Sequence, residues 1–225
     1  MDLGDYLPIL MFAVFFGIAG VGILIAVLRE RKRREAWCGF ASETGFVYTQ
    51  EDRAFGQALG FDLFQRGHRR RARNVLSGEA QGTRVALADY QYTTGGGKNS
   101  STHRRSVVVL ESEGLDLPRF AVRPEHFFDR FAELVGMDDI DFDEDPDFSS
   151  AYLLKGEDEE SVRQTFGPPV RAHLVANAKQ FRKQGLYVEG ASQALLVSTQ
   201  RRVRPAEATA LIETAFTLLA LWTHT

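Results

Sequence analysis

The sequence predicts an α+β fold: an N-terminal transmembrane helix followed by a cytoplasmic domain with a mainly antiparallel sheet covered by helices. Three observations predict it. Residues 9–28 carry no charged side chain; segments of period two separated by glycine turns are grouped in the middle of the chain; and segments with apolar residues at 3.6 spacing follow without regular βαβ alternation. The 225 residues are 44% hydrophobic and 25% charged, with a formal charge of −3. That balance excludes collagenous, mucin-like, disulfide-scaffold and wholly disordered chains.

Residues 1–8 form a short external N-terminus. At about 1.5 Å per residue, the uncharged run 9–28 covers the roughly 30 Å of a hydrocarbon core, so the lipid bilayer is the expected partner of this segment. A cleaved secretory signal requires a basic start and a small-residue cleavage site, whereas this chain begins with Asp2 and Asp5. Immediately after the run come Arg29, Glu30, Arg31, Lys32, Arg33 and Arg34. Basic residues beside a span stay on the cytoplasmic side. Arg29, Arg31, Lys32, Arg33 and Arg34 are therefore the topology determinants of a single-pass protein of the cell inner membrane, with the N-terminus outside and the C-terminal domain in the cytoplasm. Within the run, Ala13 and Gly17, and Gly22 and Ala26, stand at the spacing that permits self-association of helices. Residues 29–45 read as a basic juxtamembrane helical segment, with Trp37, Phe40 and Ala41 on one stripe and Gly45 as its stop.

Residues 46–225 form the α+β domain. A first strand covers 46–49, and Phe61 to Phe64 precede the dense cluster Arg66, His68, Arg69, Arg70, Arg71 and Arg73. Residues 75–81 and 83–92 read as strands about Gly82, and 93–101, with Gly95, Gly96 and Gly97, as a hairpin tip. Val107 to Leu110 return as a buried strand, and 119–123 as a short one. Pro124 suits the start of a helix with Phe127, Phe131, Leu134 and Val135 on its apolar stripe. In the acidic segment 138–147, Ile140 and Phe142 alternate with carboxylates as an extended edge. A strand is predicted over 148–154. A helix follows, with Glu157 to Glu160 near the positive end of its dipole, and it breaks at Gly167. It restarts at Val170. Residues 186–189 and 193–198 form a second hairpin, and Pro205 opens a final amphipathic helix through Trp222.

No motif selects catalytic, cofactor-binding or metal-binding residues. Gly95–Gly96–Gly97–Lys98 lacks the leading glycine and the Ser or Thr after the lysine that a phosphate loop requires. The acidic segment lacks the glycine and the terminal glutamate of an EF-hand. The five histidines are dispersed without a zinc spacing, and the single cysteine, Cys38, can close no intrachain disulfide. What remains is the basic cluster. Arg66, Arg69, Arg70, Arg71 and Arg73 are candidates for an anionic partner or lipid, and pairing of Arg71 and its neighbours with the chain's own 138–147 carboxylates is the leading single explanation of the cluster. A nucleic-acid role is disfavoured by the negative net charge and the lack of a reading motif.

The segment Ile140, Asp141, Phe142, Asp143, Pro146, Phe148, Ser149, Tyr152, Leu153, Leu154, Asp158, Val162 and Arg163, together with the layout around it, resembles uncharacterised bacterial membrane-anchored proteins of the domain-of-unknown-function type. The resemblance implies no activity and no catalytic residue. The expected function is a protein-binding or scaffold module, with another protein as partner. The alternatives are a membrane-tethered hydrolase assembled from distant residues and a membrane-recruited nucleic-acid binder. Arginine supplies 22 of the 27 basic residues, which suits a GC-rich bacterial genome.

Overall fold

The computed structural model describes residues 3–125 and 137–223, with side chains described at 11, 12 and from 14 onward. The chain opens with one unbroken helix, α1 (Leu3–Thr44), which ends where Gly45 adopts a φ of 76°. The strand β1 (Val47–Asp52) follows, then the short helix α2 (Asp62–Gln65), β2 (His68–Ala80), β3 (Thr83–Thr94), β4 (Ser101–Glu111) and β5 (Leu117–Pro124). After the acidic segment, which contributes only β6 (Asp138–Asp139), come α3 (Pro146–Ala151), β7 (Tyr152–Gly156), α4 (Glu159–Thr165) and α5 (Pro168–Gln184). The hairpin β8 (Tyr187–Ser192) and β9 (Ala194–Ser198) leads through a 3-10 turn at Pro205–Glu207 into α6 (Ala208–Thr223). All strand pairs are antiparallel, in the order β1-β2-β3-β4-β9-β8-β5-β7-β6. The α+β class and the mainly antiparallel sheet therefore stand.

The transmembrane and membrane expectations do not. Among the described residues no helix is long and apolar enough to cross a membrane. The uncharged run is not a self-contained segment; it is the first part of a 42-residue helix.

The sheet buries side chains on both faces. On β4, Val108 and Leu110 face the helices while Val107 and Val109 face the opposite side, under α2. This is why Val107 to Leu110 read as a continuous apolar run. On the helical face Phe120 and Phe166 meet edge to face with ring centroids 4.9 Å apart, and Trp222 of α6 lies 5.3 Å from Phe120. On the other face Phe61, Leu63, Phe64, Tyr90 and Leu196 form a smaller cluster.

One local expectation is corrected. Residues 148–151 are helical, because Asp145 caps the Phe148 N–H at 3.1 Å and Pro146 occupies the first turn. Only Tyr152 onward is strand. The stretch after Gly60, to which the sequence assigned no element, forms α2 from Asp62, with Phe61 as its extended N-cap. The helix expected over 127–135 lies outside the described residues.

Candidate functional site

Where α1 crosses the helical face of the sheet, a buried carboxylate gathers three segments. Asp89 of β3 is 4% exposed. Arg33 of α1 donates to it from Nε at 2.7 Å and from Nη2 at 2.6 Å, the two-pronged geometry that gives arginine–carboxylate pairs their strength. Asn74 Nδ2 donates at 2.9 Å and Ser106 Oγ at 3.3 Å. Asn74 sits at a bulge of β2 with φ 48°, and Tyr48 donates to its Oδ1 at 2.9 Å. Arg33 also donates to the Val203 carbonyl at 2.7 Å, and Ser106 Oγ accepts the Val203 N–H at 3.0 Å. Arg202 reaches Glu30 at 3.3 Å. Thus α1, the β3–β4 hairpin and the connection before α6 meet on one anion.

Strand register places two rows of polar side chains beside this joint. One row is Arg73, Asp89, Ser106; the next is Arg71, Gln91, Arg104. Adjacent strands lie about 4.8 Å apart, so Arg71 and Arg104 flank Gln91 with about 10 Å between their backbones. A cavity of about 360 Å³ opens there, lined by Ala26, Arg29 and Glu30 of α1, by Arg71, Arg73, Asp89, Gln91 and Arg104 of these rows, and by Arg202. Arg73 pairs with Glu51 at 3.3 Å and Arg104 donates to the Gln91 amide at 3.3 Å. Neither Arg29 nor Arg71 has a carboxylate partner among the described residues.

The candidate cluster of the sequence is thereby divided. Arg71 and Arg73 reach the cavity, joined by Arg29, whose expected role was topological. Arg70 Nη1 instead donates to the Phe64 carbonyl at 3.0 Å, under α2. Arg69, with φ 53°, is exposed. Arg66 donates to the Tyr187 hydroxyl at 2.7 Å and lies 4.7 Å over that ring. None of these is held by the chain's own acidic segment, whose β6 is at the far edge of the sheet from β2. There Asp139 pairs with Lys155 at 2.7 Å, and Asp145 with the buried Arg171 at 2.9 Å.

Arg66 belongs to a second buried polar group. Glu189 of β8 accepts the backbone N–H groups of Asp62 and of Leu63, the latter at 2.8 Å, and so pins α2 to the sheet. Burial pushes its carboxyl up to about 7, against the opposing pull of the Tyr187 hydroxyl and the Arg66 guanidinium. Burial also raises the Tyr187 phenol well above its ordinary value. This group is packed rather than open.

Asp89, Arg104, Arg202 and Glu189 were not singled out by sequence. The available signal for Asp89 was a charge on the same alternating face as Val85 and Leu87, both of which are buried. Cys38 is exposed, and among the described residues no group of three or more His, Cys, Asp or Glu could hold a metal ion.

No family model matches the chain, and no curated protein matches it. The expected likeness to domain-of-unknown-function families accordingly reduces to a distant structural neighbour. The crystal structure of the mycobacterial trehalose monomycolate transport factor A, TtfA, superposes with a TM-score of 0.65 at 12% sequence identity, over 85% of this chain and 94% of that one. At that identity the likeness is one of fold.

Proposed function

We propose that this chain is a binding and scaffold module that holds another protein through α1, with the α+β domain fixed to that helix by the Asp89 joint. The observation that carries the reading is the surface of α1. Phe12, Phe15, Phe16, Ile18, Ile23 and Leu24 are each 56–68% exposed, and they point in all directions around the helix. A contiguous apolar surface of this kind calls for an apolar partner surface. The structural neighbour is named a transport factor, a description that is compatible with this reading.

The test is site-specific photo-crosslinking from Ile18 and Leu24 in the full-length chain in cells, with Glu113 as an exposed control on the domain. One protein crosslinked from both helix positions but not from Glu113 is expected, and Ile18→Lys with Leu24→Lys should abolish it without changing the melting of the domain. The same products from all three positions would refute the reading. A crosslinked product of this chain alone would replace the second protein by a second copy.

A further inference from the structure

We propose that the arginine-lined cavity between α1 and the β2–β4 face is a binding site for a phosphate-bearing small molecule. Five arginines, Arg29, Arg71, Arg73, Arg104 and Arg202, line it against two carboxylates, Glu30 and Asp89, which leaves +3. Two residues outside the lining leave that sum unchanged, Arg33 matching Asp89 with a two-pronged bond and Glu51 matching Arg73 at 3.3 Å. Like charges gathered around a cavity repel, and an anion seated among them removes that cost. The side-chain type matters as much as the sum. Guanidinium groups present planar paired donors that fit phosphate oxygens two at a time, which lysine cannot do.

Geometry favours a small molecule over an extended acidic chain. The volume of about 360 Å³ falls in the range of small-ligand pockets. The register fixes Arg71 and Arg104 on either side of Gln91, so the floor offers two guanidinium groups with an amide donor between them. Ala26 lies at the rim, where the apolar part of α1 begins. The same phosphate chemistry could therefore arrive free in solution or on an acyl-bearing headgroup.

The experiment titrates the full-length chain calorimetrically with inorganic pyrophosphate and, separately, with dihexanoylphosphatidic acid below its micelle concentration, with sodium chloride matched for ionic strength. Saturable one-to-one binding at a Kd of about 1 mM or tighter is expected, and Arg104→Gln and Arg71→Gln should each weaken it about tenfold. Arg84→Gln, an exposed arginine paired with Glu111 at 3.1 Å away from the cavity, should leave it unchanged. Arg104 is exposed, so its variant keeps the test valid even if Arg71→Gln lowers folding. Comparable affinity for the two probes assigns the site to a free phosphate, and a tenfold preference for the acyl-bearing one assigns it to a headgroup. No saturable binding of either, or equal weakening by Arg84→Gln and Arg104→Gln, overturns the proposal and leaves an adventitious ion only. Ile18→Lys should not affect this binding, which separates the site from the partner surface of α1.

Discussion

Asp89→Ala should loosen α1 from the sheet. Its carboxylate is nearly sealed from solvent and accepts four donors from Arg33, Asn74 and Ser106. Truncation leaves the Arg33 guanidinium, whose side chain is 15% exposed, facing a void with the Val203 carbonyl and the Trp37 ring as its remaining neighbours among the described residues. Breaking a buried pair by removing one partner costs about 3–5 kcal/mol. For a chain of this size each kcal/mol shifts the midpoint by about 2–4 °C, so Tm should fall by about 6–20 °C. Asp89→Asn keeps the volume and some acceptors while losing the charge, and should cost about half as much. The assay is thermal and urea denaturation of Asp89→Ala, Arg33→Ala and the double variant, with amide exchange read across residues 30–44. A coupling energy of 0.5–3 kcal/mol, and faster exchange in α1 than in β8, are expected. Additive single effects, or a loss below about 1 kcal/mol for Asp89→Ala, would refute the joint.

Three further outcomes follow from the packing. Glu189, held near 7 in the fold against 4.5 in the unfolded chain, binds its proton more tightly when folded; the stability this confers is complete below about pH 4.5 and lost as pH rises through about 7. A pKa difference of that size corresponds to about 3 kcal/mol, so Glu189→Gln should flatten the stability profile between those limits in urea melts, and an unchanged slope would count against the assignment. Phe166→Ala empties the centre of the ring cluster against Phe120 and Trp222 and should cost about 3–5 kcal/mol in the same melts. Gly190→Ala places a methyl group against the Phe120 ring and should cost about 1–3 kcal/mol although it adds apolar surface.

Periodicity made β3, β5, the β8–β9 hairpin, α5 and α6 legible, with the second half of β2 and the apolar part of β4, because each carries enough residues for its apolar repeat to exceed local noise; residues 68–74 of β2 and 101–104 of β4, polar and bulged or at the hairpin tip, carried no such repeat. It failed at 148–151, where Phe148, Ser150, Tyr152 and Leu154 satisfy a period of two while Phe148 and Tyr152 also stand one helical turn apart. The Asp145–Pro146 start signal decided between them, through a cap that acts over three residues. At the site, the sequence showed a density of arginines at 66–73 but not their division. Alternation along a strand sends neighbours to opposite faces, and the bulges between His68 and Arg71 and between Arg73 and Leu76 shift the phase twice. Arg104 and Arg202 were illegible for a plainer reason: their company in the cavity is set by strand pairing and by a connection more than 90 residues away, distances over which no local pattern carries information.

The joint at Arg33 also has a mechanical meaning. From Arg33 to Met11 the helix extends about 33 Å, so a tilt of about 5° at the clamp moves the far end by about 3 Å. Conversely, a lateral load applied along the apolar stretch is delivered as torque to a fulcrum made of one carboxylate and two guanidinium nitrogens. One wall of the arginine cavity is carried by α1 through Ala26, Arg29 and Glu30 and the other by the sheet through Arg71, Arg73 and Arg104, so a tilt of the helix about that pivot would be read out as a change in the gap between Arg29 and Arg104.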